Sequence, residues 1–119
     1  MLKHNCFKIL ALSLPLLFIP ASVMAENSVL MSGKSLFDKY CSTCHGVKGS
    51  GSKQGPPLVH KIYRPDHHAD ISFQFAAKKG VRSHHWEFGN MPKVNGVNED
   101  DVDKIIKYIR GLQKEAGIY

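Results

Sequence analysis

Cys41-Ser42-Thr43-Cys44-His45-Gly46 places two thiols and an imidazole within five consecutive residues. Three chemistries use such a cluster: a dithiol/disulfide redox pair, half of a zinc site, or the covalent seat of a c-type haem. The rest of the chain decides among them.

The chain has 119 residues, enough for one domain. Its first 25 read as a secretory signal. Lys3, His4 and Lys8 form a short basic region, and Phe7 to Ile19 is apolar except for Lys8 and Ser13. Val23-Met24-Ala25 then offers small residues where a signal peptidase cuts. Pro15 and Pro20 interrupt an apolar run already short for a bilayer span. The expectation is cleavage after Ala25, export to the periplasm and a domain over residues 26–119. An uncleaved anchor is the alternative.

Cleavage removes Cys6 and leaves Cys41 and Cys44 as the domain's cysteines. In an oxidising compartment a bare CxxC pair is oxidised, and a domain this small often depends on a cofactor, metal or disulfide. The formal net charge of +6 falls to +4 once Lys3 and Lys8 leave. That mild basic bias suits docking against acidic protein patches. No nucleic-acid module is recognisable.

Along the chain, Glu26 to Leu30 reads as a loose lead-in. Ser32 is placed to cap a helix to Tyr40, with Gly33, Leu36, Phe37 and Tyr40 on one face. Gly46 to Pro57 reads as loop, and His60 to His68 as irregular. Asp70 is placed to cap a helix over Ile71–Lys79 that Gly80 stops. Val81 to Gly96 lacks helical periodicity. The last helix is the clearest. Asn98 caps it, Glu99, Asp100 and Asp101 crowd its positive end, and Val102, Ile105, Ile106, Ile109 and Leu112 repeat at helical spacing. With no convincing strand, the chain is expected to be all-α with long loops.

A closed structural zinc site takes four protein ligands. Here no second cysteine pair follows, and the pairs His67-His68 and His84-His85 lack the usual spacing. A thiol oxidoreductase sets CxxC at a helix start after a strand, whereas here a helix precedes the motif. Haem fits the spacing. Two thiols add across the two vinyl groups of the porphyrin, and His45 supplies the proximal nitrogen to iron. Gly46 then lets the chain turn away beneath the ring.

The sixth ligand is expected from a methionine or a histidine. Residues 26–119 contain Met31, before the first helix, and Met91, in Gly89-Asn90-Met91-Pro92 before the last. Met91 is the preferred ligand, with Pro92 stiffening its loop. The alternatives are Met91 as a core plug and ligation by His84 or His85. Trp86 and Phe88 are expected to be pocket or core aromatics.

With these motifs in place, the chain resembles the class I c-type cytochromes over nearly all of residues 26–119. Gly33-Lys34-Ser35-Leu36-Phe37 before CSTCHG looks like the family's N-terminal helix, which crosses the C-terminal helix. The resemblance implies that Gly33 lets Ile105 and Tyr108 approach. Gly55-Pro56-Pro57-Leu58 is similar to the segment whose proline carbonyl orients the proximal histidine, and Pro56 is the proline chosen here. Met91-Pro92 looks like the distal-ligand motif.

The implied protein is a monomeric periplasmic electron carrier rather than an enzyme. It carries one covalent haem c and its iron, bound by Cys41, Cys44, His45, Met91 and Pro56. Its expected partners are acidic redox proteins, a membrane-bound oxidase or reductase among them, with Lys48, Lys53 and Lys93 steering the encounter. The alternatives are a haem-based small-gas sensor and a cytochrome subunit of an oxidase or copper-handling complex. His67, His68, His84 and His85 depart from the family pattern. They read either as a transient copper site, with or without Met91, or as a solvated loop and a rim around the haem pocket.

Overall fold

The computed structural model describes residues 21–119. The greater part of the expected signal, residues 1–20, lies outside that range. The described chain runs through α1 (Ala21–Tyr40), α2 (Ser42–His45), α3 (Asp70–Lys79) and α4 (Glu99–Glu115), with short 3-10 turns at Val47–Gly49 and Lys61–Tyr63. Among the described residues the only strand-like pairing is an isolated bridge between Val81 and Met91. The all-α expectation holds. No helix of the described residues is long and apolar enough to cross a membrane.

Among the described residues the first helix is already present at Ala21, well before the expected start at Ser32. Ser32 does not cap it. Its hydroxyl donates back to the Val29 carbonyl at 3.0 Å, a bond that leaves a serine inside a helix. The stretch read as a lead-in, Glu26 to Leu30, is therefore helical.

The two long helices pack on each other and make the core. Phe37 and Ile109 are fully buried, with Leu58, Ile105 and Tyr108 around them. The Phe37 and Tyr108 rings meet at 5.7 Å between centroids, tilted by 52°. Gly33 sets how near the helices come. A β-carbon there would lie 2.2 Å from the Lys104 carbonyl oxygen and 3.1 Å from Tyr108 Cβ. Tyr108 is thus one neighbour, as expected, but the closest is the Lys104 backbone and not Ile105.

The last helix follows its sequence signals. Asn98 Oδ1 accepts from the Asp101 N–H at 2.8 Å, and acidic residues fill the first turn. Arg110, a cation in the later turns of this helix, is buried. Its guanidinium donates to Asp70 Oδ1 at 2.8 Å, to Gln113 Oε1 at 2.7 Å, and to the carbonyls of Tyr63 and His68 at 2.5 Å each. Asp70 therefore does not cap α3. The N-cap is Ala69, without a side-chain bond, and the Asp70 carboxylate turns to Arg110. Gly80 ends that helix as expected, at φ 77°, with its N–H bonded to the Ala76 carbonyl.

Candidate functional site

The CSTCH segment forms a single helical turn. The N–H groups of Cys44 and His45 both bond to the Cys41 carbonyl, at 3.2 and 2.9 Å. One turn of helix brings residues three apart onto one side, which sets Cys41 and Cys44 beside each other. Gly46 closes the turn at φ 75°. A β-carbon there would meet the Gly51 carbonyl oxygen at 2.1 Å, because the loop folds back so that Gly51 N–H reaches the His45 carbonyl at 2.6 Å. The glycine-rich loop is thus a tight wrap around His45.

His45 is buried, and its Nδ1 lies 2.9 Å from the Pro56 carbonyl oxygen. A carbonyl only accepts, so Nδ1 holds the proton and Nε2 keeps a bare lone pair. Burial lowers the pKa of His45, opposed in part by the bond to Pro56. The net lowering, dominated by burial, favours the neutral ring. Burial, with a smaller contribution from Cys44, pushes the Cys41 thiol up to about 11. Cys44 is exposed.

A cavity of about 790 Å³ opens beside this turn, within the roughly 300–1,000 Å³ typical of ligand and cofactor pockets. Cys41, Cys44, His45, Pro56 and Met91 all border it. Met31 does not. It is 67% exposed on α1. Val81 and Met91 exchange backbone hydrogen bonds of 2.9 Å each way, and Val94 N–H reaches the Ala77 carbonyl at 2.8 Å. These bonds strap the Met91-Pro92 segment to the end of α3. Gly80 permits the approach, since a β-carbon would lie 2.4 Å from the Met91 carbonyl oxygen.

The cavity wall is apolar where the protein leaves it uncovered. Phe75 and Phe88 border it while remaining 51% and 41% exposed. The third helix has no buried residue at all, because Phe73, Phe75, Ala76 and Ala77 face this space. Trp86 also borders it, and its indole N–H is buried without an acceptor. His68, His84 and His85 lie at the same cavity, as does Lys93. Lys48 and Lys53 are exposed on the adjoining loop.

Compared with protein families, residues 30–113 match the family described as Cytochrome c. The chain belongs to the cytochrome c family. Comparison with curated proteins and with solved structures returned no match. The crossed N- and C-terminal helices are the cytochrome c fold, and this family binds haem c with iron and generally serves electron transfer.

The residues fit that group. Two thiols and a neutral buried imidazole with a free nitrogen face a large cavity whose uncovered walls are aromatic and aliphatic. The unpaired Trp86 N–H offers a donor to an acidic acceptor, and haem carries carboxylates. What the sequence did not disclose in this cytochrome is the strap that holds Met91, made of backbone bonds, and the buried Arg110 anchor beneath His68.

Proposed function

We propose that this protein is a periplasmic one-electron carrier, exported by a signal cleaved after Ala25, with a domain over residues 26–119. One haem c is attached through thioethers to Cys41 and Cys44. His45 Nε2 and the Met91 thioether ligate the iron, and the Pro56 carbonyl fixes the His45 tautomer. The haem iron supplies a one-electron couple. The chain's own part is to hold, orient and dry that group. The Gly46–Gly51 wrap keeps His45 in place, and the Val81–Met91 pairing positions a soft neutral ligand. The apolar walls exclude water.

The observation that carries this reading is His45. It is buried, its Nδ1 is committed to Pro56 at 2.9 Å, and both thiols and Met91 open on the same cavity. His84 and His85 border that cavity as well, so a bis-histidine site is the competing assignment. The two differ in the visible spectrum. Methionine ligation gives the oxidised protein a weak far-red band, and it raises the potential relative to bis-histidine ligation. The oxidised protein is expected to show that band. Met91→Ala is expected to abolish it and lower the midpoint potential, whereas His84→Ala and His85→Ala leave the band in place. Absence of the band from the oxidised wild type, with spectrum and potential unchanged in Met91→Ala, would reverse the assignment.

Lys93 at the cavity and Lys48 and Lys53 on the adjoining loop supply a positive rim for acidic redox partners. A membrane-bound oxidase or reductase is one such partner. The protein acts as a monomer.

A further inference from the structure

The two histidine pairs do not stay apart. His67 and His68 follow the Lys61–Tyr63 turn, and His84 and His85 lie in the 81–91 loop. The fold stacks one pair on the other. Ring centroids are 4.8 Å apart for His67 and His68, 5.3 Å for His67 and His85, 5.2 Å for His68 and His85, and 4.2 Å for His84 and His85. His84 also stacks on His68 at 6.0 Å and 22°. One ring nitrogen each from His67, His68 and His85 lies within 4.8 Å of the others.

We propose that His67, His68 and His85 bind a divalent transition-metal ion at the rim of the haem cavity, with the His84 ring packed beside them. Three arguments support it. The first is orientation. Ligating histidines generally commit their other nitrogen to a carbonyl or carboxylate. His68 Nδ1 already lies 2.7 Å from the Ile62 carbonyl. It therefore presents a bare Nε2. His68 is further anchored by its own carbonyl, which accepts from Arg110 at 2.5 Å.

The second is reach. Nitrogens bound at about 2.0–2.1 Å to one tetrahedral ion lie about 3.3–3.4 Å apart. From a separation within 4.8 Å, small rotations of exposed side chains close the site, and His67 and His85 are both exposed.

The third is donor chemistry. Among the described residues no carboxylate joins the converging donor atoms, and Asp66 and Asp70 are engaged, with Arg64 at 2.7 Å and with Arg110 at 2.8 Å. Three neutral imidazoles without a carboxylate suit copper(II), nickel(II) or zinc(II) and disfavour calcium and magnesium. Without an ion, the same imidazoles repel each other as soon as more than one is protonated.

Such an ion would add two positive charges beside the cavity with no compensating ligand charge. On the function proposed above, that disfavours the oxidised iron and raises the midpoint potential. This consequence rests on that reading. Metal binding itself does not.

The test uses the metal-stripped holoprotein, purified without a histidine tag and titrated calorimetrically with zinc(II) and copper(II). One ion per chain is expected, with at least a tenfold loss of affinity in His67→Ala/His85→Ala. The visible spectrum and circular dichroism of that variant report whether it is folded. Failure of both ions to bind, or equal affinity in the folded double variant, overturns the site. A zinc-dependent rise in midpoint potential, absent from the double variant, supports the coupling to haem. An unchanged potential with intact binding removes the coupling and leaves the site standing.

Discussion

At Gly33 there is no room for a single methyl group. The Lys104 carbonyl oxygen would lie 2.2 Å from a β-carbon, and it belongs to the backbone of a packed helix, so it cannot swing aside. Gly33→Ala is therefore expected to force the two long helices apart and cost about 2–3 kcal/mol despite alanine's better helix propensity, measured by chemical denaturation. A neutral or stabilising effect would mean the helices are less closely apposed than described. The glycine was visible in the sequence as an oddity inside a helical stretch. Its partner was not, because side-chain periodicity locates a face and says nothing of which backbone atom touches it. The same distinction separates Asn98 from Ser32. Asn98 caps because its own backbone is extended, whereas Ser32 has helix on both sides and bonds within it.

At the level of elements, the third and fourth helices and the 61–69 segment are tied together by one side chain. Arg110 takes partners 40 to 47 residues away in sequence, at Asp70, Tyr63 and His68. Its neighbour Gln113 is fully buried and donates to the carbonyls of Leu58 at 2.8 Å and Tyr63 at 3.1 Å. The ion pair itself counts for little, since Asp70 is 66% exposed. The greater cost of losing Arg110 comes from the His68 carbonyl and the Gln113 amide oxygen left without its donation, while Tyr63 keeps its bond from Gln113. Arg110→Met is expected to destabilise by about 3 kcal/mol and to speed amide hydrogen exchange across residues 61–70. Arg110→Lys should recover only part of the loss, because an ammonium cannot match the guanidinium fork. Uniform destabilisation without faster local exchange would contradict the tether. This anchor was illegible beforehand: an arginine in the last turns of an amphipathic helix looks like a solvated cation. The ends of the helices at Asn98 and Gly80 were legible because capping is local chemistry. The helical stretch before Ser32 was not, since residues 21–31 contain no glycine or proline to stop a helix but also no clear apolar periodicity to announce one.

For the whole molecule, a core of two crossed helices carries an uncovered apolar cavity, and the residues around it come from every part of the fold. The thiols and His45 come from the turn after α1, Pro56 from the loop, Phe73 and Phe75 from α3, Met91 from its strap. The CSTCHG motif announced this site because covalent attachment confines its chemistry to adjacent residues. The histidine cluster was half-visible, as two pairs whose meeting only the fold reveals. The positive rim has its own consequence. Electron transfer to an acidic partner is expected to slow several-fold between about 0.01 and 0.1 M salt, as the screening length contracts from about 30 to 10 Å. A rate independent of salt would leave Lys48, Lys53 and Lys93 without a steering role.

The most direct test is a pyridine haemochrome spectrum of the purified exported protein, taken together with its intact mass after acid–solvent extraction. One haem per chain is predicted, retained through extraction and adding its mass to a polypeptide that begins at Glu26. Pigment that passes into the solvent, or a colourless folded protein, would contradict a haem bonded to Cys41 and Cys44.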